Sequence, residues 1–298
     1  MKYRALKNTE LQISEIAFGC MSMDLSRRDN DELIHAAIDG GINYFDTADL
    51  YDQGKNEEAL GRALKGKRSE VIVATKVGNQ LRADGSGWDW NPSKGYILKA
   101  VDLSLKRLQT DYIDLYQLHG GTIEDPINEV IEAFEQLRAK GKIRNYGISS
   151  IRPNVIREYV ANSNIASVMM QYSLLDRRPE EQMLDLLESN GVGLMARGGL
   201  AKGLLGGKIP EVYLNYKSRE IELLVNEMKK LTHDKTKLSH AALQWILSHS
   251  AVTSAVVGIR TKEQLKEALA YSESTVIEKE KLDALGKVLP LAYYQAHR

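Results

Sequence analysis

The sequence predicts a (β/α)8 barrel of the TIM type, and two regularities along its 298 residues indicate this fold. First, helix-period apolar patterns alternate with short apolar runs of strand length, about eight times in all. Second, glycine or Asn-Gly recurs between helical patterns and strands, as in "ELIHAAIDGGINYFDTA", "FEQLRAKGKIRNYGISS" and "MLDLLESNGVGLMARGG". Because glycine just beyond a helix tolerates the left-handed cap, each of these segments predicts a helix, a tight turn and a strand.

The candidate strands are mostly continuous apolar runs, which is typical of parallel strands covered by helices on both faces. They are predicted at Ile16–Met21, Asn43–Phe45, Val71–Lys76, Tyr112–Leu118, Arg144–Ser149, Ser167–Tyr172, Gly193–Arg197 and Ser254–Gly258. Helical patterns lie between them, for example at Ile97–Leu108, Ile127–Ala139 and Glu181–Ser189. The opening segment "YRALKNTELQIS" predicts a hairpin with its turn at Asn8-Thr9, which would close the barrel floor.

The domain organisation follows from the absence of any interdomain linker in the sequence. We therefore predict a single barrel domain over residues 1–298. The alternative, a doubly wound open sheet, is less favoured because no G-x-G-x-x-G opens the first helix. The longest turn-rich segments, 78–94 and 203–217, are candidate loops over the mouth of an active site.

Composition narrows the class of protein. Forty basic residues balance forty acidic ones, so we expect neither a nucleic-acid partner nor a polybasic contact with a membrane. No apolar run approaches the roughly 20 residues that span a bilayer, and the N-terminus lacks the apolar core of a signal peptide. The single cysteine, Cys20, excludes an internal disulfide and fits a reducing cytoplasm.

Polar side chains follow three neighbouring strands at their carboxyl ends, where a (β/α)8 barrel assembles its active site. The second strand ends at Asp46, with Tyr51 shortly after it; the third ends at Lys76 and the fourth at His119. This set suits carbonyl reduction, because hydride delivery leaves an alkoxide that needs a proton. A nearby ammonium can lower the pKa of a tyrosine by roughly 1–3 units. A carboxylate keeps that lysine charged, and the imidazole can orient the carbonyl oxygen.

Each of these residues also has a simpler interpretation when it is taken alone. Asp46 can cap the turn that follows it, and Tyr51 can be a half-buried packing residue. His119 is as readily a core histidine with satisfied hydrogen bonds as a functional one. Lys76 is harder to explain structurally, because it follows "VIVAT" where apolar residues usually continue. The four together at successive strand ends favour the functional interpretation.

The motifs "YFDTADLY", "VIVATK", "TDYIDLYQLH", "YGIS" and "GIRTKEQL", in this order, resemble those of the aldo-keto reductases. The resemblance covers essentially the whole chain and is strongest to the bacterial branch related to the potassium-channel β subunits. It implies a (β/α)8 barrel that binds NADP(H) without a Rossmann domain and reduces small carbonyl compounds. It also implies a catalytic tetrad of Asp46, Tyr51, Lys76 and His119, with Tyr51 as the proton donor.

The resemblance further implies a set of cofactor contacts. The carboxamide of the nicotinamide would lie against Ser149 and Gln171, with Ser150 where the family usually has asparagine. Arg197 would occupy the position at which relatives commonly stack an aromatic ring on the nicotinamide. Because oxidised nicotinamide is cationic, we hypothesise that Arg197 weakens NADP+ binding relative to NADPH. The alternative is an Arg197 that turns outward to a carboxylate.

Two segments are expected to bind the phosphates of the cofactor. The glycine-rich stretch after the seventh strand allows close approach of backbone to a pyrophosphate, through Gly198, Leu200, Lys202 and Gly203. After the eighth strand, Thr261 and Gln264 form a T-x-x-Q capping box at a helix N-terminus, which is also an anion site. The resemblance places the adenosine 2′-phosphate here, and the cofactor contacts implied at this end are Gly258, Arg260, Gln264 and Glu267.

The substrate pocket is expected from Met21, Trp88 and Trp90, together with the tail around Tyr293 and Tyr294. The two tryptophans are equally explained as anchors of their own loop. Two other functions stay open: a nucleotide-binding redox sensor with little turnover, and a Schiff-base lyase that uses Lys76 as its nucleophile. No metal site is predicted, because no cysteine cluster exists and the remaining histidines lack ligand spacing; these are His35, His233, His240, His249 and His297.

Overall fold

The computed structural model describes residues 1–232 and 237–298, and eight parallel strands within them form a closed barrel. The predicted fold is therefore confirmed. We number the barrel strands β1 Ile16–Gly19, β2 Tyr44–Asp46, β3 Ile72–Val77, β4 Ile113–Leu118, β5 Ile143–Ser149, β6 Ser167–Gln171, β7 Gly193–Arg197 and β8 Val252–Gly258. Each strand pairs with its neighbour in the chain, and β8 closes the barrel against β1.

Helices surround this barrel, as expected for strands that are apolar on both faces. They are α1 Asn30–Asp39, α2 Lys55–Ala63, α3 Lys94–Leu108, α4 Ile127–Ala139, α5 Pro153–Asn162, α6 Met183–Ser189, α7 Ser218–Lys229, α8 Leu238–Leu247, α9 Lys262–Ala270 and α10 Lys279–Gly286. The connection from β7 to β8 holds two of them, α7 and α8. His233, one of the histidines for which no metal site is predicted, lies outside the described residues.

The N-terminal hairpin closes the floor of the barrel. Its strands Tyr3–Ala5 and Gln12–Ser14 are antiparallel, and the turn between them includes Asn8 in a left-handed conformation at φ 59°. Leu6 and Ile13 of this hairpin are fully buried and join the apolar cluster inside the barrel. That interior cluster also takes inward-facing side chains from the strands, among them Ala17, Tyr44, Ala74, Leu115, Met169 and Met195.

The side-chain alternation of the strands decides which residues face the barrel axis. On β4, Leu115 lies in the interior cluster, so Gln117 points the same way above it, and His119 follows directly after the end of the strand. On β3, Lys76 faces inward because it lies two positions after the inward-facing Ala74. On β7, Arg197 faces inward because it lies two positions after Met195. The carboxyl ends of the strands therefore present polar side chains to the mouth over an apolar floor.

Some element boundaries differ from the sequence-based prediction. The first strand was expected to run to Met21 but ends at Gly19, because a 3₁₀ turn begins at Cys20. The segment 78–94, expected as a loop, contains a second hairpin of Asn79–Leu81 with Trp88–Trp90. Among the described residues no helix is both long and apolar enough to cross a membrane.

Candidate active site

Asp46 is placed by the last position of β2 and by a rigid turn that follows it. The backbone N–H of Thr47 donates to the Ala74 carbonyl at 2.9 Å, which continues the strand pairing into the turn. The Thr47 hydroxyl donates to Asn56, and the Asn56 amide donates to the Cys20 carbonyl at 2.9 Å. Asp46 is thus held at the mouth by contacts that use none of its own carboxylate oxygens.

Lys76 lies at the centre of the site, and its side chain is completely buried. Its Nζ donates to Asp46 Oδ2 at 2.6 Å, to the Thr47 carbonyl at 2.7 Å and to Tyr51 Oη at 3.4 Å. Burial lowers the pKa of Lys76, but Asp46 and Tyr51 outweigh it and leave the pKa above its ordinary value. The amine is therefore an ammonium whose three protons all have acceptors.

Tyr51 is brought to Lys76 by a strained turn. Asp52 and Gln53, which follow it, both adopt left-handed conformations at φ 48° and φ 57°. Burial raises the pKa of Tyr51 above its ordinary value, and the Lys76 ammonium opposes this without cancelling it. This net direction differs from the sequence-based expectation of a lowered pKa. The reason is that a sequence pattern shows the nearby cation but not the loss of solvent around the phenol.

His119 follows β4 and lies edge-on to Tyr51, with ring centroids 5.8 Å apart and an interplanar angle of 83°. Burial, together with the charges of Lys76 and Arg197, lowers the pKa of His119 to about 3. The imidazole is therefore neutral at neutral pH. Its Nδ1 is buried and has no hydrogen-bond partner within the described part of the chain. A neutral imidazole next to the phenol can donate one hydrogen bond to a carbonyl oxygen.

Two further buried polar residues belong to this region and were missed by the sequence analysis. Gln117 Nε2 donates to Asp46 Oδ1 at 3.4 Å. Asp49 is buried, and burial together with the nearby Glu57 raises the pKa of its carboxyl to about 8. For Gln117 a signal existed, because a polar residue interrupts an apolar strand two positions before His119. Asp49 lies between Asp46 and Tyr51 in the sequence, but no spacing pattern distinguished it.

The residues that are expected to contact the nicotinamide lie at the carboxyl ends of the next strands of the barrel. Ser149 ends β5, and Gln171 and Arg197 end β6 and β7, where they are paired in register. All three are half-buried at the mouth. Ser150 is different, because its hydroxyl accepts from the Arg152 backbone N–H at 3.2 Å in a local turn. The structure therefore brings Ser149, Gln171 and Arg197 to one rim and gives Ser150 a structural contact.

Arg197 has no direct ion-pair partner among the described residues. Across residues 1–232 and 237–298, its guanidinium makes no side-chain hydrogen bond and no ion pair, so the outward orientation toward a carboxylate is not seen. Its charge lowers the pKa of Asp46, Tyr51 and His119, which places it within electrostatic reach of all three. Arg197 thus faces the centre of the site.

The glycine-rich segment after β7 forms a kinked 3₁₀ turn at Ala201–Gly206. Left-handed conformations occur at Gly198, Ala201, Lys202 and Gly203, with φ values of 69°, 44°, 59° and 95°. Two of these are not glycine, and such strain tends to persist where a binding site requires it. Leu200 accepts from the Gly203 N–H at 2.8 Å and so closes the turn.

The N-terminus of α9 combines a helix cap with an exposed cationic side chain. Thr261 Oγ1 accepts from the Gln264 N–H at 3.3 Å, and Gln264 Oε1 accepts from the Arg260 N–H at 2.8 Å. The exposed Arg260 donates through Nε to the Ser22 carbonyl at 3.2 Å. A Cβ at the nearby Gly258 would overlap the Ser22 hydroxyl, so any larger residue there would force the Ser22 side chain to move. This end can hold an anion.

Glu267 has a different environment from the one expected. Its carboxylate accepts from the Ser239 hydroxyl and pairs with Lys237 Nζ at 3.4 Å. Its backbone carbonyl lies 3.0 Å from His240 Nε2. These contacts join α9 to the start of α8, so the Glu267 carboxylate already serves a structural purpose.

The expected substrate-pocket residues separate into exposed and anchored ones. Met21 and Trp88 are 66% and 49% exposed at the rim. The Trp90 indole N–H donates to Asp125 at 2.9 Å, and its ring lies so close to Gly78 that a Cβ there would come within 2.6 Å. Trp90 therefore anchors its hairpin. Among the described residues no group of three acidic, histidine or cysteine side chains is placed to hold a metal.

Comparisons with known proteins agree with this architecture. The aldo/keto reductase family model matches residues 15–290. The uncharacterized oxidoreductase YqkF of Bacillus subtilis (strain 168) is 47% identical over 307 residues, covering 100% of both chains. The holo form of the aldo-keto reductase AKR11C1 from Bacillus halodurans is 48% identical, with a TM-score of 0.94 over 100% of this chain and 99% of that chain.

More distant relatives differ in the cofactor that their names state. The aldo-keto reductase yakc [NADP(+)] of Schizosaccharomyces pombe is 30% identical and covers 89% of this chain and 87% of its own length. The NADH-specific methylglyoxal reductase of Escherichia coli (strain K12) is also 30% identical and covers 91% and 93%. Similarity at this level therefore does not distinguish the two cofactors.

Proposed function

The chain belongs to the aldo/keto reductase family, and from this premise we propose that it reduces aldehydes or ketones to alcohols with NADPH, using Tyr51 as the general acid. The observation that carries the proposal is the set of three contacts made by the buried Lys76 ammonium, to Asp46, Thr47 and Tyr51. Through the ammonium they connect a carboxylate to a phenol, an arrangement suited to proton delivery.

The proton balance of the reaction follows from these contacts. A bound nicotinamide would supply the hydride to the carbonyl carbon. Tyr51 gives its proton to the carbonyl oxygen, and the Lys76 ammonium stabilises the phenolate that remains. Neutral His119 orients the carbonyl oxygen by donating a hydrogen bond to it. Because the pKa of His119 is low, the imidazole is not protonated and does not replace Tyr51 as the acid.

The raised pKa of Tyr51 favours the reductive direction. Burial keeps the phenol protonated at neutral pH, which is the form that reduction consumes. Oxidation of an alcohol needs the phenolate instead, and the same burial opposes it. An alkoxide is a far stronger base than a phenolate, so proton transfer from Tyr51 is downhill even with a raised pKa.

The preference for NADPH rests on the N-terminus of α9. Arg260 lies there with its terminal guanidinium nitrogens available for a phosphate fork, next to the capped helix end. A 2′-phosphate is the only group that NADPH adds to NADH, so a cationic fork at this place discriminates between the two. Ser149, Gln171 and Arg197 would hold the nicotinamide, and the kinked turn of Gly198, Leu200, Lys202 and Gly203 would lie along the pyrophosphate.

The Schiff-base alternative is disfavoured by the same geometry. A lysine nucleophile must be substantially neutral, whereas the pKa of Lys76 lies above its ordinary value and all three of its protons are engaged. The redox-sensor alternative has no comparable observation in its favour and becomes an outcome of the experiment below.

The test is oxidation of NADPH, followed by absorbance, against a panel of aldehydes and ketones for wild type and Tyr51→Phe. We expect turnover by wild type and a loss of roughly 10²–10⁴-fold in the variant, the usual contribution of a positioned acid. NADPH affinity should be unchanged. Tight NADPH binding without turnover by wild type would favour the sensor, and equal turnover by both proteins would remove Tyr51 from the mechanism.

A further inference from the structure

Gln117 is a buried amide inside the barrel, directly beside the catalytic lysine. It pairs in register with Lys76 across β3 and β4, and both side chains face the barrel axis. No part of Gln117 is exposed. It lies within β4, two positions before His119, which follows the strand, so Gln117 sits below the mouth where a substrate would bind.

Lys76 and the Gln117 amide each donate to a different oxygen of the Asp46 carboxylate. Lys76 Nζ donates to Oδ2 at 2.6 Å, and Gln117 Nε2 donates to Oδ1 at 3.4 Å. With one donor near each oxygen, the short Lys76 contact and the longer Gln117 contact together orient the carboxylate so that Oδ2 is directed at Lys76. Burial raises the pKa of Asp46, and the contacts with Lys76 and Gln117 both oppose this rise.

Packing alone does not explain a glutamine at this position. Its Oε1 is buried and has no hydrogen-bond partner among the described residues. A buried acceptor without a hydrogen bond is unfavourable for folding. An apolar side chain of the same length would fill the space and avoid this unsatisfied acceptor. The opposite amide orientation would place Oε1 against the carboxylate, which is repulsive. The orientation seen is the one that supports Asp46.

We propose that Gln117 is a positioning residue that orients and stabilises the Asp46 carboxylate, and through it the Lys76 ammonium beside Tyr51. The role in catalysis rests on the reductase function proposed above. The effect on Asp46 itself does not, because it is a property of the buried cluster and can be measured without turnover.

The groups that act on Asp46 come from several elements, and each must be held constant in a test. Lys76 and Gln117 contact it from β3 and β4, and the charge of Arg197 reaches it from β7. Among the described residues, Cys20, Tyr44 and Tyr51 also interact electrostatically with Asp46. Substituting Gln117 alters none of these charges.

The experiment compares wild type, Gln117→Met and Tyr116→Phe. Methionine keeps the length of glutamine and removes the amide. Tyr116 is the matched control, because its buried hydroxyl is likewise unpartnered within the described part of the chain but packs outside the barrel against Phe134. Titration of the Asp46 carboxyl is followed by carbon-13 NMR of aspartate-labelled protein, with Asp46→Asn identifying the signal.

In Gln117→Met we expect the pKa of Asp46 to rise by roughly half to one unit, because the carboxylate form loses a donor. The kcat for carbonyl reduction should fall about three- to tenfold, the factor equivalent to that shift, while the Kd for NADPH stays unchanged. Tyr116→Phe should change neither quantity. If the methionine variant does not fold, Gln117→Leu serves the same comparison.

An unchanged Asp46 titration in the folded Gln117 variant overturns the proposal, whatever the turnover. A shifted titration with unchanged kcat overturns the catalytic part of it. A wild type without carbonyl turnover contradicts the proposed function instead, and the titration then still decides whether Gln117 stabilises Asp46.

Discussion

Replacing Lys76 by methionine tests the electrostatics of the site through stability as well as activity. The substitution keeps a long side chain in a fully buried position and removes the ammonium. Asp46 is then left with the Gln117 amide as its remaining side-chain donor. Removing one partner of a buried ion pair typically destabilises a protein by about 3–5 kcal/mol, because the other charge stays buried without compensation.

The loss of stability has an independent upper bound, because Asp46 can take up a proton and so avoid being a buried, unpaired charge. From its ordinary pKa of 3.8, protonation costs about 4 kcal/mol at pH 7 and about 1.6 kcal/mol at pH 5. Burial already raises the pKa of Asp46 in the folded wild type, and losing the Lys76 ammonium raises it further, so the stability of the variant relative to wild type falls as pH rises between these values. We therefore expect Lys76→Met to lose about 4 kcal/mol relative to wild type at pH 7 and less than half of that at pH 5.

The assay is denaturant unfolding at both pH values, with Asp46→Asn/Lys76→Met as the matched control. The double variant removes the stranded carboxylate, so it should recover most of the stability and lose the pH dependence. Neither protein should reduce carbonyls, because neither has the ammonium beside Tyr51. A loss below about 1 kcal/mol at pH 7, or an equal loss at both pH values, would refute the reasoning that Asp46 depends on Lys76.

Three other predictions concern the cofactor and the pH profile. Arg260→Ala should raise the KM for NADPH at least tenfold more than that for NADH, since only NADPH carries the 2′-phosphate; equal changes would contradict the assignment. Arg197→Tyr removes an unpaired cation and should strengthen NADP+ binding relative to NADPH; an unchanged ratio of the two Kd values would discard this role. The pKa of His119 lies at about 3, so kcat should show no inflection near pH 6.5. An inflection there that disappears in His119→Gln would show a charged imidazole.

The fold was predictable because its signals are local and repeated. Continuous apolar runs and glycine caps recur along the chain, and Ile127–Ala139 was predicted with the bounds that α4 has in the structure. The second hairpin was missed although an Asp-Gly turn lies at its centre, because Trp88 and Trp90 were interpreted as loop residues. Its strands have three residues each, too few for an alternation pattern to be recognised.

The convergence of Asp46, Tyr51, Lys76 and His119 was predictable because the carboxyl ends of parallel strands meet at one mouth whatever the details of packing. The contribution of Gln117 was not, because it depends on register: only the pairing of Lys76 with Gln117 places the amide beside the Asp46 carboxylate. The direction of the Tyr51 pKa was missed for a similar reason. Solvent exclusion around the phenol is set by the whole barrel mouth, and no short motif encodes it.

Residues on both faces of β3 contribute to the position of Tyr51. On the inner face, Lys76 reaches the phenol; on the outer face, the adjacent Thr75 hydroxyl donates to Glu57 at 2.5 Å, just beyond the turn that carries Tyr51. Glu57 is fully buried and pairs with Arg107 at 2.6 Å. Left-handed conformations at two consecutive residues in this turn are each unfavourable by about 1–3 kcal/mol, so the turn requires such fixation to persist. We infer that the Glu57 contacts fix the turn and so keep the phenol near Lys76, which is the preorganisation that the proposed proton transfer would need.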